Sequence, residues 1–143
     1  MTRAERKAGR RGKRRLIHLV LDAEGLNQGS IPGSRLHDRI CATHRAGKEV
    51  RVSAVTLTEV LRGGPRDARV HAVLRLCRVL SVTKEVGRAA GELLGRTGRN
   101  DTVDALVAVA AAEAPVPVEI LTSDPKDLTV LTAEMPGVSV QAV

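Results

Sequence analysis

The sequence predicts an α/β fold built on a parallel sheet. Short apolar runs of strand length alternate with longer segments of helical spacing, which implies crossover units. The clearest run, Leu-Ile-His-Leu-Val-Leu at 16–21, is continuous rather than alternating, as in a strand buried on both faces. At 143 residues the chain is long enough for one domain with a sizeable core.

After the first strand, residues 25–33 are rich in Gly, Ser, Asn and Pro and read as a loop. A helix follows over 34–46, with Ser34 as N-cap and Gly47 as its stop. Residues 50–55 form a second strand, and Ser53 or Thr56 caps a helix that ends before Gly63-Gly64-Pro65. Val70, Val73, Leu74 and Leu76 place an apolar stripe on a helix over 66–77. Residues 78–82 make a short strand. Thr83 then caps a helix with Val86, Ala89, Ala90, Leu93 and Leu94 on one face. Asp101 or Thr102 opens an alanine-rich helix that stops before Pro115 and Pro117. A strand over 118–121, a short helix over 124–132 and a last strand over 138–143 complete the order, with no internal repeat.

Composition narrows the function. The chain contains no Phe, Tyr or Trp, so bases cannot stack on aromatic rings and the core must be aliphatic. The net charge of +7 is uneven. Residues 1–15 carry eight Lys or Arg against Glu5, leaving 15 basic and 15 acidic residues in 16–143. Two segments are therefore expected: a basic, flexible arm over 1–15 and a neutral globular body over 16–143. The arm is either a phosphate-binding extension or a solvated tail. Cys41 and Cys77 lack zinc-finger partners and read as buried free thiols. With no secretory signal and no apolar stretch long enough for a membrane, a cytoplasmic protein is expected.

Four acids carry the chemistry. Asp22 closes LIHLVLD, Glu59 follows VRVSAVTLT, Asp104 opens DALVAVAAA, and Asp124 follows VEILTSD. In an open parallel sheet the carboxyl ends of the strands face one crevice, so acids delivered there would converge. Converging carboxylates repel one another unless a cation sits between them, and their hard oxygens suit Mg²⁺ or Mn²⁺. Each acid also has a structural reading. Asp22 could be a turn residue, Glu59 a solvated helix residue, Asp104 a charge favoured by the helix dipole, and Asp124 an N-cap before Pro125. Asp101 is either a fifth acid or the cap of its helix. Arg62, Arg66, Arg96, Arg99 and Lys126 lie close in sequence to these segments, and Thr122 and Ser123 can hydrogen-bond a phosphate or a carboxylate. His18 reads as a packed residue within the first strand. No phosphate-binding glycine loop follows that strand, which argues against a nucleotide-binding or receiver domain.

The ordered set LVLDAEGL, VSAVTLTEVLRG, DTVDALVAVAAA and LTSDPKDL resembles the PIN-domain nucleases, in particular VapC-type toxins. The resemblance spans the body of the chain. It implies a Rossmann-like three-layer domain with a central, mostly parallel sheet of about five strands flanked by helices. It also implies a Mg²⁺- or Mn²⁺-dependent endoribonuclease acting on RNA, the toxin of a type II toxin–antitoxin pair, working as a homodimer and inhibited by a cognate antitoxin. The family's acids map onto Asp22, Glu59, Asp104 and Asp124 as catalytic and metal-binding residues. Two features depart from the family pattern: Glu24 stands where a small residue is usual, and aromatic residues are absent. Glu24 either adds charge to the pocket or points away from it. The alternative is a catalytically inactive PIN-like module that binds RNA or protein.

Overall fold

The computed structural model describes residues 16–143. The basic arm expected over 1–15 lies outside the described residues. The order is β1 His18–Leu21, α1 Ala23–Gly29, α2 Arg35–Arg45, β2 Val50–Ser53, α3 Ala54–Val60, a 3₁₀ turn Pro65–Asp67, α4 Ala68–Leu74, β3 Arg78–Leu80, α5 Lys84–Thr97, α6 Thr102–Ala112, β4 Val118–Thr122, α7 Pro125–Leu131 and β5 Val138–Ala142. The five strands form one sheet in the order β3-β2-β1-β4-β5, and every pairing is parallel.

The apolar run at the first strand is explained by burial on both faces. Val20 packs with Ile120 and helices α5, α6 and α7 on one side, while Leu19 and Leu21 pack with α1, α2, α3 and α4 on the other. Three layers result, and all of the fully buried large side chains are aliphatic. Helix α6 is apolar around its whole circumference because it is enclosed: every residue from Asp104 to Ala111 is buried.

The segment after β1 is not a loop throughout, as its glycines suggested, but begins with helix α1. The glycines are there for clearance. A Cβ on Gly25 would stand 2.8 Å from the Leu121 carbonyl oxygen, and one on Gly29 would collide with Ile40 Cδ1. The helix expected over 66–77 divides into the 3₁₀ turn and α4. Buried Asp67 closes the preceding turn, its Oδ2 accepting from the backbone N–H of Arg62 at 3.0 Å and of Gly63 at 2.7 Å.

Candidate metal centre

The parallel sheet brings the ends of β1, β2 and β4 to one edge. Asp22 is the first residue beyond β1 and Asp124 the second beyond β4. Asp22 is buried, and both its oxygens are engaged. Oδ1 accepts from Gly25 N–H at 2.8 Å and so caps α1, while Oδ2 accepts from Thr122 Oγ1 at 2.6 Å and Ser123 N–H at 3.0 Å. An ionised carboxylate offers about four acceptor positions, so three donors leave room for one more contact. The Thr122 hydroxyl in turn accepts from Asp124 N–H at 2.8 Å. One threonine thus ties the first acid to the backbone of the fourth.

Asp124 begins α7 with Pro125 in the first helical position, as its sequence suggests, but its carboxylate makes no capping hydrogen bond. It is turned instead toward Asp104. Carboxylate oxygens of Asp104, Asp124 and Asp127 all lie within 4.8 Å of one another. Asp104 is 8% exposed and its Oδ2 has no hydrogen-bond partner. A buried acceptor without a donor is costly, and a buried charge without a counter-charge more so. Burial, chiefly, with the neighbouring charges of Asp101, Asp124 and Asp127, pushes the Asp104 carboxyl up to about 7. Three carboxylates, one of them with an unpartnered oxygen, fit a divalent cation, which would relieve both the repulsion and the missing bond.

The acids named from sequence separate into distinct positions. Asp104 and Asp124 converge. Asp22 is linked to them through Thr122. Asp101 is the N-cap of α6, its Oδ1 accepting from Asp104 N–H at 2.9 Å, and lies outside the three-carboxylate group. Glu59 is exposed on α3 and also lies outside it. Asp127, which the sequence reading did not single out, belongs to it. The signal was present: Asp127 follows Asp124 by three residues, the spacing that places two side chains on one helix face. Glu24 lies outside the three-carboxylate group, its Oε1 accepting from Gln28 Nε2 at 3.1 Å along α1.

The basic residues also sort themselves. Arg62 folds back onto its own helix, donating to the carbonyls of Thr58, Leu61 and Glu59. Arg99 Nη1 pairs with Asp127 Oδ1 at 3.2 Å. His18 Nδ1 accepts from Glu49 N–H at 2.9 Å, so it is a packing residue. Both cysteines are free, and burial pushes the Cys77 thiol up to about 12. Among the described residues no helix is long and apolar enough to cross a membrane.

Solved structures with this architecture exist. VapBC2 from Rickettsia felis, bound to a DNA fragment from its promoter, superposes with a TM-score of 0.62 at 13% identity, covering 89% of this chain and 99% of that one. This chain has the PIN-domain fold. FitAcB from Neisseria gonorrhoeae matches at TM-score 0.59 and 18% identity, covering 85% of this chain and 95% of that one. DNA-bound VapBC from Salmonella typhimurium matches at 0.58 and 16%, covering 88% and 98%. At these identities the likeness concerns the fold. No protein-family model matches the sequence, and no curated protein matches it.

Proposed function

We propose that the chain is a metal-dependent endoribonuclease, the toxin of a type II toxin–antitoxin pair. The observation that carries this reading is the convergence of Asp124 and Asp127 with Asp104, whose buried Oδ2 has no partner, in a PIN fold. These three acids would hold Mg²⁺ or Mn²⁺. A bound cation would offset phosphate charge, lower the pKa of water and stabilise the leaving oxygen. Asp22 holds the Thr122–Ser123 segment in place and with it the backbone of Asp124. Glu59 is exposed and free of the cluster, and we assign it to orienting the attacking water or adding a ligand once RNA is bound. The body carries no net charge and no aromatic platform, so RNA is held through phosphates. A cognate antitoxin, a homodimeric assembly and a cytoplasmic location complete the reading. They rest on the fold shared with the VapBC and Fit proteins and on the sequence resemblance.

The second reading, a PIN-like module that binds without cleaving, draws on the separation of Glu59 from the other acids. Total RNA incubated with the protein separates the two. Cleavage that requires Mg²⁺ or Mn²⁺ and disappears in Asp104→Asn and Asp22→Asn supports the nuclease. RNA retained intact by the metal-loaded protein supports the module.

A further inference from the structure

Among the described residues, Arg99 is the only basic side chain ion-paired with the acidic cluster. Its place follows from the chain. Gly98 ends α5 in the left-handed conformation, φ 68°, and turns the backbone out of the helix. Arg99 follows at once, two residues before the Asp101 cap of α6. Its guanidinium reaches across to α7 and meets Asp127, whose carboxylate also lies within reach of Asp104 and Asp124. The pair is partly open to solvent, with side chains 43% and 36% exposed. Such a pair is weak and easily exchanged.

We propose that Arg99 is a metal-operated phosphate hook: docked on Asp127 in metal-free protein, and released toward RNA phosphate when a divalent cation takes its place. This rests on the metal-centre reading. Arg99 cannot lose its charge, so a cation entering the cluster must compete with it for Asp127 and then repel it. A divalent ion attracts a carboxylate more strongly than a guanidinium does at equal distance. The displaced side chain stands at the rim of the acidic site. Its planar fork of donors suits the two free oxygens of a phosphodiester. Capture of RNA would then be coupled to metal loading: a strand meets the extra positive hook only when the site is charged for hydrolysis.

Titrating Mn²⁺ alone into the full-length chain and into Arg99→Gln tests the competition calorimetrically. Removing the competitor should tighten Mn²⁺ binding about two- to five-fold, the range spanned by an exposed ion pair. Arg96→Gln, on α5 and outside the pair, should match the parent. A single-stranded DNA oligonucleotide then serves as a phosphate probe that a ribonuclease does not consume. In saturating Mn²⁺ the slope of log affinity against log salt should be shallower by about 0.7 in Arg99→Gln, the loss of one phosphate contact. Without metal the two slopes should coincide. A parent protein that takes up no Mn²⁺ would sink the metal centre and the hook together. A parent that binds Mn²⁺, loses it in Asp104→Asn, and matches Arg99→Gln in both Mn²⁺ affinity and salt slope would reject the hook alone.

Discussion

Asp104 is asked to be charged where charge is hard to hold. Its carboxyl is raised from 3.8 to about 7, by burial first and by the acids around it second. A raised folded-state value means that the unfolded chain ionises first as pH increases. The metal-free protein should therefore lose stability between about pH 4 and pH 7, with the loss complete above that window. Thermal melts in chelator should show a lower midpoint at about pH 8 than at about pH 5, and Asp104→Asn should flatten the difference. A variant as pH-sensitive as the parent would assign the effect elsewhere. Mn²⁺ must displace the remaining proton, so its affinity should climb as pH passes through about 7, which calorimetry in two buffers can follow. Asp104 and Asp124 were legible in sequence because each marks a junction between an apolar run and a helix. Asp127 was not, since DPKD at the start of a helix reads equally well as ordinary solvated charge. In the fold Asp124 makes no capping hydrogen bond, and its carboxylate and that of Asp127 both come within reach of Asp104.

Among the elements, α1 was the one hidden in the sequence. Gly25, Asn27, Gly29 and Ser30 spell a loop by composition. Tertiary packing overrides that signal, because Gly25 lets the helix lie against the Leu121 carbonyl and its N–H completes the cap on Asp22. Gly25→Ala should accordingly cost about 1–3 kcal/mol in urea unfolding, the usual range for overpacking, and should weaken Mn²⁺ binding by displacing the Asp22–Thr122 link. Unchanged stability would show that α1 can shift freely. The glycines of α5 are a contrasting case. Gly91 has helical backbone and nothing within 4 Å of an added Cβ. Gly91→Ala should raise stability by about 0.5–1 kcal/mol, since it removes only unfolded-state freedom. Leu106, buried on α6, should behave as a core residue, with Leu106→Ala costing about 2–5 kcal/mol. Helix α5 was readable because its apolar period and its Thr83 cap agree, and β1 and α6 because each is a continuous apolar run. Sheet order was not, because no local signal distinguishes which strand lies beside β1; it emerges from the crossovers that place β2 and β4 on its two sides.

At the scale of the whole molecule, the positive charge belongs to the first 15 residues and the site to the body. Phosphate contacts made by such an arm would add affinity without choosing bases. Removing residues 1–14 should weaken RNA binding and flatten its salt dependence while leaving the cleavage pattern unchanged, as gel mapping of a single RNA across a salt series would show. Identical slopes would make the arm inert toward RNA. The absence of aromatic side chains has a practical optical consequence. With no tyrosine or tryptophan in the chain, the folded protein has no aromatic absorbance band and no intrinsic tryptophan fluorescence. A purified sample should be almost transparent in the near ultraviolet. An absorbance maximum at about 260 nm would report co-purifying nucleotide material rather than protein, so an ordinary spectrum taken before and after a high-salt wash tests whether nucleic acid accompanies the purified chain.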